Sequence, residues 1–158
     1  MAGLMFTLFM VACSGNSNKT GNESTGASSP TSVETTEAGK NPTYDPNRGE
    51  GKYSDADIPA TLDQAMAASG EKVFDVKCSS CHKTTNEKLV GPGWKDVTQR
   101  HRADWILNFI TSPDAMIDKD PKVQAQLELC LVRMPNQNLT DNDARSLYEF
   151  MRKNDGVK

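Results

Sequence analysis

The sequence predicts an all-α domain of about four helices over residues 62–153, preceded by a long polar segment that joins no core. Three observations carry this. Separate stretches place apolar residues at helical spacing, and one of them opens on a capping pair. No stretch of useful length alternates apolar and polar residues as a half-buried strand would. Apolar residues are 36% of the 158-residue chain, low for a packed domain, and the deficit is local. Residues 14–50 hold only four apolar side chains, Ala27, Val33, Ala38 and Tyr44.

The chain opens with MAGLMFTLFMVAC. Its apolar run, Leu4 to Ala12 with Thr7 inside, is too short to span a bilayer and has the length of a signal-peptide core. FMVAC followed by a polar tract resembles a bacterial lipoprotein signal, in which the Cys becomes the lipidated first residue of the mature chain. Met10 stands where Leu is commoner, and no Lys or Arg precedes the run. The expectation is a signal over residues 1–13, export, and acyl chains on Cys13 that hold the protein on a membrane.

Residues 14–50 are Ser, Thr, Asn, Gly, Pro and charge, which cannot offset the entropy of ordering them. They read as a disordered tether spanning roughly 30–35 Å. Residues 51–61, GKYSDADIPAT, read as an extended lead-in along the domain edge. Charge divides at the same place. Residues before 62 hold 4 basic and 7 acidic side chains and supply the whole net charge of −3, while residues 62–158 balance 14 against 14. A neutral domain has no basic face for nucleic acid.

In the first helix Leu62, Met66, Gly70, Val73, Phe74 and Cys78 follow one stripe. Gly70 costs about 1 kcal/mol there relative to Ala, which close approach of another helix would explain. A second helix, about 101–111, carries Trp105, Ile106, Phe109 and Ile110 and ends before Pro113. A third, 121–132, begins with Asp120 as cap and Pro121 at its first position, and Val123, Leu127 and Cys130 form a stripe leading to Met134. The last is capped by Thr140 with Asp143 three residues on, and Ala144, Leu147, Tyr148 and Met151 follow. First and last helices are expected to cross, with Tyr148 near Gly70 and Phe74.

Four cysteines in an exported chain suggest disulfides, but the spacing points elsewhere. Cys78, Cys81 and His82 form CSSCH, a c-type haem attachment pattern that this composition would produce by chance about 0.001 times. Two residues between the thiols put both sulfurs within reach of the haem vinyl groups, and the adjacent imidazole can coordinate the iron. A thioredoxin-like pair would want a βαβ setting, which is missing, and a zinc site would want a better-spaced second pair than His101 with Cys130. Cys130 reads as a small buried apolar side chain.

A haem electron carrier needs a sixth iron ligand. His101, in the charged run TQRHRAD, reads as solvated surface. Met66 and Met151 fall on apolar stripes and read as core. Met116 and Met134, both placed on loops, remain. Met134 is favoured because Pro135 biases it out of helix, onto a short connection from which a thioether can reach across a haem face.

Residues 70–153 resemble a small bacterial monohaem class I cytochrome c. The matching pieces are GEKVF ahead of CSSCH, then LVGPGWKDV, then MPNQNLTDNDARSLYEFMR. The resemblance covers just over half the chain. It implies the class I cytochrome c fold around one covalent haem c, a cytochrome c domain over residues 62–158, thioether bonds at Cys78 and Cys81, and iron ligation by His82 and Met134. It also implies that the Pro92 carbonyl accepts from the free ring nitrogen of His82, and that Trp94 and Arg133 approach the haem propionates. The implied function is one-electron transport, not enzymatic turnover, with the domain on the periplasmic side of a bacterial membrane. Its donor would be a membrane quinol-oxidising complex. Its acceptor would be a terminal oxidase or a denitrification reductase such as nitrous oxide reductase. The alternative is a haem enzyme or gas sensor with an open iron site.

Overall fold

The computed structural model describes residues 44–158. The signal, Cys13 and most of the tether lie outside the described residues. Six helices form among those described: α1 (Gln64–Lys77), α2 (Val97–Arg100), α3 (Ala103–Thr111), α4 (Pro113–Lys119), α5 (Pro121–Cys130) and α6 (Asp141–Asn154). No strand forms among them beyond one isolated antiparallel bridge, His82 with Lys88. No helix described is long and apolar enough to cross a membrane.

The local signals act as their chemistry requires. Asp63 caps α1 by accepting from the Met66 amide at 2.9 Å. Asp120 caps α5 by accepting from the amides of Lys122 and Val123, and Pro121 opens that helix with its fixed φ. Thr140 and Asp143 close a full capping box on α6, each side chain accepting from the other's amide. Helix α5 stops at Cys130, not 132, because Leu131 takes φ +60°.

Two helices correct the sequence reading. Pro113 does not merely end the second apolar stripe; it sits at the first turn of α4, where a missing N–H costs nothing. Met116 is therefore helical and fully buried, not on a loop. The short helix α2 precedes His101, which lies in the turn between α2 and α3.

The α1–α6 crossing organises the core. A Cβ on Gly70 would fall 2.0 Å from the carbonyl oxygen of Ser146 and 2.9 Å from the Leu147 nitrogen, so the two backbones touch where only glycine fits. The α6 residues nearest Gly70 are Ser146 and Leu147, and the α6 ring paired with Phe74 is Phe150 at 5.3 Å, where the sequence pointed to Tyr148. Tyr148 is buried in the same core cluster as Phe74.

Buried polar side chains stitch the lead-in onto the helices. Asp104 on α3 accepts from the Ala56 amide at 2.7 Å, and Asn108 accepts from the Tyr53 amide at 2.8 Å. Arg152 on α6 pairs with buried Glu149 and donates to the carbonyls of Pro59 and Ala60. Residues 44–50, read as part of the tether, also pack down. The Tyr44 hydroxyl binds Asp120, the Glu50 amide points at the Met116 sulfur, and Lys119 pairs with Glu50. The polar composition that argued for disorder here is satisfied by partners on α4 and α5.

Candidate functional site

The last turn of α1 delivers the first thiol. The Cys78 amide still bonds Phe74 O as a helical residue would, after which the chain turns sharply. The amides of Cys81 and His82 both reach back to Cys78 O, at 3.0 and 2.9 Å. That turn gathers both sulfurs and the imidazole at one end of α1. Residues 83–94 then fold over the motif, the amides of Val90 and Gly91 bonding Cys81 O and that of Trp94 bonding Lys83 O.

His82 is fixed by this return segment. Its Nδ1–H donates to Pro92 O at 2.8 Å, which leaves Nε2 as the nitrogen with a free lone pair. Gly91 makes room: a Cβ there would meet the ring at 2.4 Å. Burial pushes the imidazole pKa down, and the Pro92 carbonyl only partly opposes it. The ring is thus the neutral form that binds a metal.

These residues line a cavity of about 290 Å³ with a mostly apolar wall. Cys78, Cys81, His82, Pro92, Trp94 and Met134 all border it. Trp94 is buried, 4.9 Å from the Phe74 ring and 5.4 Å from His82, and packs as a wall beside the imidazole. Arg133 reaches the rim, but its guanidinium is held by Asp114 and Asp118 of α4 at 3.1 and 3.6 Å. Met134 comes from the connection after α5, is half-buried and borders the cavity. That connection is tied to α1 by Lys77, whose amine donates to Gln137 O at 2.8 Å.

Other predicted residues lie elsewhere. Met116 is absent from the cavity lining, and its sulfur lies against the Glu50 amide. His101 is not simply solvated: it stacks on Trp105 at 3.9 Å, away from the cavity. Cys130 is only half-buried and borders the cavity, a placement that the Val123–Leu127–Cys130 stripe already contained. Three lysines near the haem motif, Lys77, Lys83 and Lys88, are all partnered. Lys83 pairs with Glu87, while Lys77 and Lys88 donate to backbone carbonyls.

Burial raises the Cys78 thiol pKa to about 11, with Lys77 opposing and Cys81 adding to the rise. Such a thiol stays protonated at neutral pH, unlike the acidic first thiol of a redox CxxC. The paired cysteines, a neutral imidazole and a mostly apolar cavity fit a covalent porphyrin of the c type.

Those features define a small helical haem protein of the c type. The family described as Cytochrome c matches residues 67–155, and the chain belongs to it. Among solved structures, the chain is similar to the cytochrome c from Rhodothermus marinus, at 28% identity and a TM-score of 0.64, over 66% of this chain and 90% of that one. An engineered form of that protein, Rma TDE, is similar at 27% identity and a TM-score of 0.64, over the same shares of the two chains. The engineered form bound to a carbene intermediate is similar at 28% identity and a TM-score of 0.61, again over 66% and 90%. No curated protein matches. The fold is that of class I cytochromes c, and the cofactor is one haem c held through the pair Cys78 and Cys81.

Proposed function

We propose that this chain is a one-electron carrier, not an enzyme, with His82 and Met134 on opposite sides of the haem. When bound, the haem supplies the reversible ferric–ferrous couple. The observation that carries the reading is the placement of the methionines. Among the described residues, Met134 is the methionine that borders the cavity containing His82, and Met116 is fully buried outside it. A thioether opposite an imidazole favours the ferrous state and raises the potential relative to two imidazoles. His82, oriented by Pro92, and Met134, tied back to α1 through Gln137, are both held before any electron moves.

The test is optical. The ferric protein is expected to show the far-red band of a sulfur–iron bond and to bind carbon monoxide poorly when reduced. Met134→Ala abolishes the band and admits carbon monoxide, whereas Met116→Leu leaves both unchanged. A wild-type protein that lacks the band and binds carbon monoxide readily at neutral pH overturns the reading in favour of an open-site enzyme or sensor.

The rest of the proposal concerns place and partners. A lipid on Cys13 would hold the domain on a bacterial membrane with the haem in the periplasm. From there it would carry electrons from a quinol-oxidising complex to a terminal oxidase or a denitrification reductase such as nitrous oxide reductase. Around the cavity mouth Val76 and Val132 stand 84% and 55% exposed, and the nearby lysines are occupied. That surface suits brief apolar contact more than charge steering. Cys13→Ser is expected to release the protein into the soluble fraction. Anoxic stopped-flow mixing with each candidate acceptor identifies the partner by its rate.

A further inference from the structure

A second concavity, of about 260 Å³, shares no lining residue with the first. Its lining includes Arg100, His101, Arg102, Trp105, Lys122 of α5 and Asn47. Its lining contains no carboxylate. That is a sharp segregation in a domain whose residues 62–158 balance 14 basic against 14 acidic groups.

The cations here are poorly partnered. Arg102 pairs with Asp104 at 3.2 Å. Arg100 and Lys122 have, among the described residues, only the carbonyls of Gly93 and Pro46 as acceptors, at 3.2 and 3.1 Å. Several other arginines and lysines meet carboxylates: Lys83 meets Glu87, Arg133 meets Asp114, and Arg145 and Arg152 share Glu149. The His101 ring stacks on Trp105 within 10° of parallel, and its Nδ1 is buried without a partner. The charges converge closely enough to act on it. Burial first, then Lys122 and Arg100, hold its pKa near 4. Asp120, which binds the Trp105 indole N–H, opposes them.

Holding like charges around a concavity is unfavourable unless a counter-charge sits between them. Donors arriving from separate elements suit a tetrahedral oxyanion, which offers acceptors in several directions, better than a planar carboxylate. Guanidinium groups bind such an anion in a fork, and an ammonium binds it as a point charge.

We propose that Arg100, His101, Arg102 and Lys122 form an anion site that takes a phosphate group. The group belongs either to a free phosphate or phosphomonoester or to a phospholipid head. The site is separate from the haem cavity, so it stands whether or not Met134 ligates the iron.

The test uses the full-length haem protein and follows the His101 ring signals by NMR. Inorganic phosphate is expected to shift them saturably, where chloride at equal ionic strength does not. Lys122→Gln and Arg100→Gln should each weaken binding about tenfold, with haem absorbance and circular dichroism confirming that each variant folds. Vesicles with and without phosphatidylglycerol form the second arm. Binding to inorganic phosphate assigns a soluble ligand. Binding only to the anionic vesicles, lost in the same variants, assigns a lipid head. No saturable response to either probe, a response matched by chloride, or one unchanged in both variants overturns the proposal.

Discussion

Substituting Gly70 by Ala tests whether the α1–α6 crossing sets the geometry of the site. The added methyl would sit 2.0 Å from Ser146 O, about 1.4 Å inside ordinary contact, which begins near 3.4 Å. The obstructing atoms are backbone, so no rotamer change relieves the clash and the helices must separate. Overpacking of this kind costs about 3 kcal/mol at its upper range. Alanine returns about 1 kcal/mol through its better helix propensity. The net loss is about 2 kcal/mol, or about 10 °C in melting temperature for a domain of this size. Guanidinium unfolding of the haem-loaded protein, followed by tryptophan fluorescence, measures it. Because α1 ends at Cys78 and Leu147 lines the cavity, the same variant should also disturb the far-red ferric band. A variant as stable as wild type, with an unchanged spectrum, would refute the claim that backbone contact at Gly70 fixes the crossing.

Other substitutions probe contacts outside the core. Asp120→Asn turns a donor toward the Trp105 indole and the Tyr44 hydroxyl, both of which now donate to a fully buried carboxylate, and should cost about 3 kcal/mol in chemical unfolding. A loss under about 1 kcal/mol would mean those donors find other acceptors. Lys77→Met removes the amine on Gln137 O; if that bond holds the Met134 connection, carbon monoxide should enter the ferrous protein about fivefold faster. Equal entry rates would show that something else restrains the connection. His101 has a folded pKa of about 4 against an ordinary 6.5, so the unfolded chain binds the extra proton between those values. Its contribution is therefore complete above pH 6.5 and is lost as pH falls toward 4, and His101→Asn should flatten the stability profile in that window. An unchanged slope would show that His101 does not titrate there.

Much of this was legible because the signals were local. CSSCH is a covalent constraint written in five consecutive residues, and Thr140 with Asp143 is a cap written in four. Gly70 announced a close approach, because a glycine in an otherwise apolar helical stripe needs a reason. What the approach met was not legible, since the register of α6 against α1 depends on the whole core. Pro113 misled for a different reason: proline ends one helix and begins the next with equal ease, and only tertiary burial of Met116 and Ile117 shows which. Residues 44–50 misled because a polar segment can be ordered by partners distant in sequence, here Met116, Lys119 and Asp120.

A redox dithiol and a haem anchor share a motif, since both use two cysteines separated by two residues. The sequence distinguishes them through the neighbouring His82 and the missing βαβ setting. Environment distinguishes them more firmly. A dithiol that exchanges disulfides needs a stabilised thiolate, which calls for exposure, a helix N-terminus or adjacent cations. Cys78 has the opposite setting: it closes the C-terminal end of α1, is buried, and has its pKa raised to about 11. The apolar wall that suppresses the thiolate is the wall a porphyrin face requires. The same burial keeps His82 neutral, so one desolvated cavity suits both Cys78 and His82 to a porphyrin and would serve thiol exchange badly.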